Sequence, residues 1–219
     1  KRQVYGAYDV SKVAENQHWI NLLHQKKNLF GSYYSEVVSP HFFLSPEGSN
    51  NPHKELIATI DAFQQPYHGP ENEHPQCRFP ARLRFITEQT GIKFPGANCK
   101  ALDGFRTKLG AKSVSLVFSS YYINNPSSAF GHTFLRLSKK DPSAPLSHEH
   151  HNELLDYGIG YAANVDTNSL SNALLAFAGL TYGSFTAVPY YYKVREYNDF
   201  ESRDLWSYQL NLDQHEIDY

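Results

Sequence analysis

Along the first third of the chain the apolar positions fall at helical spacing. Val13, Trp19, Ile20, Leu22 and Leu23 recur this way, Ser11 stands where an N-cap belongs, and Gly31-Ser32 breaks the pattern, which predicts one helix over 10–30. Residues 42–51 (FFLSPEGSNN) read as a turn-rich loop. Helical period resumes from Pro52 through Leu56, Ile57 and Ile60 to Phe63. Residues 64–76 hold Pro66, Gly69, Pro70 and Pro75 and predict an extended loop. Pro80 suits a first helical turn, and Leu83, Phe85 and Ile86 carry that helix to Gly91; another is expected over 100–109, with Asn98 near its start. After Lys112 the pattern turns to β: 113–122, 133–138 and 154–161 read as strands, with a polar loop over 139–152. Small residues over 169–178, closed by Gly179, predict a helix. Residues 190–194 and 205–212 are the last strand candidates, and 213–219 looks like the start of a further helix. Helices first, then a mostly antiparallel sheet with an inserted helix, is an α+β architecture. The division falls between a helical part, 1–111, and a β-rich part, 112–219, expected to form one compact domain.

Composition narrows the function classes. The 219 residues carry 20 Lys and Arg against 22 Asp and Glu, a net charge of −2, so no nucleic-acid partner is expected. The least polar run, Leu170 to Val188, is interrupted by Asn172, Gly179 and Gly183 and falls short of the roughly 20 apolar residues a membrane span needs. A chain that begins at Lys1 and lacks Met is expected to be a processed or trimmed form, as signal-peptide removal would leave it. Aromatic residues reach 15 %, which points to aromatic surfaces with one wet end.

The densest candidate chemistry is NNPSSAFGHTFLR, 124–136. His132 opens a strand directly after Gly131, a placement that suits a general base at the rim of a sheet. The competing role is a histidine that hydrogen-bonds a loop carbonyl. Ser128 is a candidate nucleophile, though no nucleophile-elbow motif surrounds it and turn formation after Pro126 is the competing role. Asp156 and Asn164 lie on or just after the following strand, where either would orient His132. His148, His150 and His151 sit in a Ser- and Pro-rich loop that lacks the rigid support a metal needs, so no metal or cofactor is expected. Residues 190–203 read equally as a groove for an amphipathic substrate or as a solvated edge strand. Cys77 and Cys99 each precede a candidate helix, where a thiol can act as nucleophile. Their even count and their separation of 22 favour a disulfide instead, which would stabilise the fold by roughly 3 kcal/mol.

Six blocks carry a family resemblance: HWINLLH (18–24), FFLSPEG (42–48), CRFPARLRF (77–85), NNPSSAFGHTFLRL (124–137), LLDYGIGYAA (154–163) and PYYYKVREYNDFESRDLWSYQL (189–210). They resemble the N-terminal domain of Lnb-type lipoprotein N-acyltransferases, from about Trp19 to the C-terminus. The resemblance implies a periplasmic domain held at the inner membrane by segments absent from this chain. It implies transfer of an acyl chain from phospholipid to the α-amine of a lipoprotein's N-terminal cysteine, so phospholipid and lipoprotein are the expected partners. It also implies a permuted papain-like fold of the lecithin:retinol acyltransferase type, in which the histidine precedes a nucleophilic cysteine on a later helix. His132 matches the histidine. No cysteine follows Cys99, so the chain is expected to be truncated before the nucleophile, or else Cys77 or Cys99 serves in its place. Two further readings stand beside this one: a non-catalytic lipid- or lipoprotein-binding domain, and an NlpC-type thiol hydrolase using Cys99 and His132.

Overall fold

The computed structural model describes residues 9–37, 39–121, 131–141, 153–163, 183–200 and 204–218. The chain divides into two compact units, Lys1–Gly104 and Phe105–Tyr219.

The first unit is mainly helical. Val10–Ala14 (α1) is capped by Asp9, whose carboxylate accepts from the Ser11 and Lys12 amides, so Asp9 and not Ser11 is the N-cap. Asn16 then caps a second helix, Gln17–Leu22 (α2). The helix expected over 10–30 is therefore two short ones, because Asn16 offers its side chain to the His18 amide. In place of the last third stands a hairpin, Gln25–Lys27 (β1) paired with Tyr33–Ser35 (β2). Pro52–Gln64 (α3) begins as its sequence predicts, with Asn51 as N-cap and Pro52 in the first turn. Part of the expected loop before residue 77 is a short helix, Pro75–Arg78 (α4). Pro80–Thr90 (α5) ends at Gly91, whose φ of +69° is the left-handed C-cap conformation. Lys100–Leu109 (α6) spans the division between units.

Trp19, Leu23, Leu56, Ile60, Phe63, Phe85 and Ile86 form the buried apolar centre of this unit. Trp19 stacks on Phe85 at 5.7 Å, and its indole N–H donates to the Pro52 carbonyl at 3.0 Å. Cys77 and Cys99 form the predicted disulfide, closing 22 residues.

The second unit is built on a five-stranded antiparallel sheet in the order β6-β5-β4-β3-β7. Its strands are Ser113–Ser119 (β3), His132–Ser138 (β4), Tyr157–Ala163 (β5), Gly183–Pro189 (β6) and Leu205–Gln209 (β7). Pairing of Val117 with Phe134, Ser119 with His132 and Gly158 with Arg136 places these residues on one face, since directly opposed residues point the same way. Phe118 with Trp206, Leu116 with Tyr208 and Tyr161 with Phe185 share the other face, and all six are exposed.

Two differences from the sequence reading matter for the site. Tyr190–Val194, expected as a strand, is a helix that continues with π-type turns over Arg195–Phe200; together they are α7. Strand β6 lies where no strand was expected. The chain closes with Gln214–Ile217 (α8), opened by a capping box between Asp213 and Glu216. Helices joined to an antiparallel sheet make this an α+β fold. The helix expected over 169–178 lies outside the described residues.

Candidate functional site

Gly131 sets up the site. Its φ is +83°, and a Cβ at this position would lie 2.5 Å from the Ser119 carbonyl oxygen and 2.7 Å from the Phe118 ring. Only glycine fits, so the chain can turn tightly onto β4 and present His132 as its first residue. The fully buried Ser119 hydroxyl donates to the His132 carbonyl at 3.4 Å and ties down the strand end.

The half-buried His132 imidazole lies in an aromatic setting. Its centroid is 6.3 Å from that of Phe134 with the planes 22° apart, and 6.1 Å from that of Tyr197. On the neighbouring strand β5, Gly160 has no side chain to offer. A Cβ there would sit 3.6 Å from His132 Nε2 and 3.8 Å from Thr186 Oγ1. The missing methyl thus leaves a small space with an imidazole nitrogen on one side and an exposed threonine hydroxyl on the other.

Helix α7 covers the same sheet face. Tyr190 and Tyr197 are seven residues apart, about two helical turns, and both are buried with Val117 and Phe134. Their ring centroids stand 6.1 and 5.9 Å from that of Phe134. Lys193 lies over the Tyr197 ring at 5.4 Å and bonds Glu196 at 2.9 Å. Burial disfavours the Lys193 charge, but the bond to Glu196 and the neighbouring charges outweigh it and hold the ammonium above its ordinary value. Burial pushes the Tyr190 phenol up, against a smaller downward pull from Arg136.

Arg136 braces the start of this helix. It bonds Glu153 at 2.8 Å, approaches the buried Asp156 at 3.7 Å and lies over the Tyr190 ring at 5.4 Å. The Asp156 carbonyl accepts from the Tyr190 amide at 2.7 Å.

The structure separates the residues expected to act together. Tyr157 pairs with Leu137, so Asp156 lies level with the far end of β4. Six residue steps along the strand, about 20 Å, separate that level from His132. Asp156 therefore braces Arg136 and does not orient His132. Ser128 and Asn164 lie outside the described residues, as do His148, His150 and His151. Cys77 and Cys99 are bonded to each other. A bonded sulfur is no thiolate, so the disulfide withdraws both from the role of alternative nucleophile. The residues that sequence reasoning did not single out are Gly160, Thr186, Arg136 and Tyr197. For Tyr197 the usable signal was its spacing of seven from Tyr190.

No group of histidine, cysteine and carboxylate side chains among the described residues could hold a metal ion. No described helix is long and apolar enough to cross a membrane.

Residues 11–89 match a domain of unknown function (DUF7843). No curated protein and no solved structure matches the chain. Residues 101–219, more than half of the chain and the part that holds the whole sheet and His132, match the Lnb N-terminal periplasmic domain, and the chain belongs to that family.

Proposed function

We propose that this chain is the periplasmic portion of a lipoprotein N-acyltransferase and that His132 is its general base. The observation that carries the proposal is the placement of His132 as the first residue of β4, straight after the Gly131 turn, with its half-buried imidazole beside Gly160 and Thr186. Family membership supports the reaction class. A general base has to reach the proton that it takes, and a histidine at the start of a strand, half-buried at the sheet end, is placed for that role.

In this reading a thiolate, which the bonded Cys77 and Cys99 do not supply, attacks a phospholipid ester. The ester C–O bond breaks, protonated His132 gives its proton to the departing oxygen so that the lysophospholipid leaves as an alcohol, and the acyl group is held as a thioester. Backbone amides stabilise the oxyanion. The α-amine of the acceptor lipoprotein then attacks the thioester and loses its proton to His132, and the thiolate departs. The papain-like arrangement belongs to this proposal, and its support is a histidine at the start of a strand. Membrane association and the phospholipid and lipoprotein partners belong to it as well.

A second reading is a binding domain with no chemistry of its own. The disulfide favours it for the isolated chain, because neither of its two cysteines is free. One experiment tests both readings. His132→Ala in the intact envelope enzyme should lower formation of triacylated lipoprotein by about two to four orders of magnitude without changing the fold. Near-normal turnover would remove His132 from the mechanism. The isolated chain should give no triacylated product with phospholipid and diacylated acceptor. Product from a chain with Cys77 and Cys99 both changed to Ser would point to another nucleophile, such as Ser128.

A further inference from the structure

The hairpin β1–β2 ends in two apolar side chains that stand almost wholly in solvent. Leu29 is 102 % exposed and Phe30 93 %, the highest values of any large apolar residue among the described residues. The turn that carries them is firmly built. The Asn28 amide donates to the Ser32 carbonyl at 2.9 Å, and the Gly31 amide to the Asn28 carbonyl at 3.0 Å. The Asn28 side chain accepts from the Phe30 amide at 2.9 Å and from the Ser32 amide at 3.0 Å. Gly31, at φ +80°, supplies the left-handed residue that a three-residue hairpin turn requires. The base is fixed too: Gln25 donates to the Gly48 carbonyl at 2.7 Å, and the Ser35 hydroxyl to the Leu23 carbonyl at 2.8 Å.

Behind the tip the chemistry changes in order. Lys27 pairs with Tyr33 across the hairpin and lies over its ring at 4.9 Å. Lys26 pairs with Tyr34, which is 46 % exposed, and bonds Glu36 at 2.5 Å. No ion pair reaches Lys27 among the described residues. Two lysines against one glutamate leave the hairpin one positive charge.

We propose that this hairpin is a membrane-contact element, with Leu29 and Phe30 entering a phospholipid bilayer. Lys27 stands two strand residues behind Leu29, about 7 Å at ~3.4 Å per residue. That matches the depth of roughly 5–10 Å to which interfacial elements bury their apolar side, so the lysine falls among the headgroups. Tyr33 and Tyr34 then lie at the level where amphipathic rings collect in membrane proteins. The turn is already ordered, so insertion need not fix it. An apolar pocket on a protein would accept the same tip, but the sequence from apolar pair to lysine to tyrosine follows the profile of a bilayer. The proposal stands apart from the acyl-transfer reading, because its test measures membrane contact with no turnover.

The test uses the 219-residue chain with vesicles of phosphatidylcholine alone and of phosphatidylcholine mixed with phosphatidylglycerol. Co-flotation reports binding. A Ser32→Cys variant labelled with an environment-sensitive dye reports whether the tip leaves water; with both native cysteines bonded, the new thiol is the single labelling site. The chain should float with the mixed vesicles, and the dye emission should shift to the blue. Leu29→Ser with Phe30→Ser should weaken binding at least about tenfold while leaving the thermal unfolding midpoint unchanged. Lys27→Gln should weaken it roughly fivefold on the mixed vesicles and not on the neutral ones. Failure of the unaltered chain to bind either vesicle overturns the proposal. So does full binding by the serine variant, or loss of binding only when Trp206 and Tyr208 on the sheet are changed to Ser.

Discussion

In the N-terminal unit Glu55 and Arg82 are wholly buried side by side, whereas in the C-terminal unit Arg136 answers to an exposed Glu153 and His132 stands half-open at a strand end. The Glu55 carboxylate accepts from Arg82 at 2.7 Å, from Leu44 at 2.9 Å and from Ser45 at 2.8 Å. Arg82 also donates to the Phe42 carbonyl at 2.9 Å and lies over the Phe42 and Phe79 rings at 4.5 and 4.2 Å. Burial pushes the Glu55 carboxyl up against these donors, and it pushes Arg82 down to about 10. The pair holds the FFLSPEG loop to α3 and α5. Gly48 in that loop lies so near Glu55 that a Cβ would meet the carboxylate. One unit uses buried polarity to fix a loop. The other places a half-buried histidine at the end of a strand, beside Gly160 and Thr186.

Arg82→Ala tests that contrast with the largest expected effect. It leaves Glu55 buried beside no cation and should lower the unfolding free energy by about 3–5 kcal/mol. Arg136→Ala loses a bond to the exposed Glu153 and only a longer, 3.7 Å approach to the buried Asp156, and should cost less, about 2–3 kcal/mol. Urea titrations of the two variants give the comparison. Equal losses would mean that the first unit is no more dependent on its buried pair than the second is on its brace.

Gly160→Ala sharpens the comparison from the other side. The new methyl would meet His132 Nε2 at 3.6 Å and the Phe134 Cβ at 3.8 Å, both ordinary contacts. Stability should therefore change by less than about 1 kcal/mol. Acyl transfer by the intact enzyme should nevertheless fall at least about tenfold, because the methyl occupies the space beside the imidazole. Unchanged transfer would show that the space is not where the reactant sits.

Local chemistry explains which features were legible in the sequence. Asn51-Pro52 and Thr90-Gly91 mark helix ends whose signals lie within one turn, and the structure places α3 and α5 there. Gly131-His132 announced a tight entry onto a strand for the same reason. The hairpin at 25–35 escaped because three-residue strands carry no periodicity, so Gly31-Ser32 read as a helix stop instead of a turn between strands. The three consecutive tyrosines from Tyr190 favour β-structure by propensity, yet Pro189 opens a helix there and packing on Phe134 holds it. Gly160 and Thr186 reach His132 only through strand register, which brings together residues distant in sequence. Register likewise carries Asp156 away from the histidine it was expected to orient.

The smallest effect concerns alkaline pH, and it separates burial from bonding in the aromatic core of the second unit. The folded Tyr190 phenol titrates above its ordinary value of 10.0 because burial disfavours the phenolate. A raised value in the folded state means that the unfolded chain loses this proton first. The contribution of the neutral phenol is then complete below about pH 10 and is lost as the pH climbs through the folded value. Lys193, also raised from its ordinary value of 10.5, adds a loss of the same sign over a slightly higher range. Tyr190→Phe keeps the ring against Phe134 but cannot ionise. It should be slightly less stable than the unaltered chain at neutral pH, where the interaction of the hydroxyl with Arg136 is missing. The gap should close as the pH rises past 10, because only the unaltered chain loses the contribution of its neutral phenol. Urea midpoints of both proteins, followed by near-ultraviolet circular dichroism from pH 8 upward, measure the gap (pH values set by the ordinary phenol range). A gap that stays constant would mean that Tyr190 contributes through its bond to Arg136 alone and that its burial has no consequence for stability.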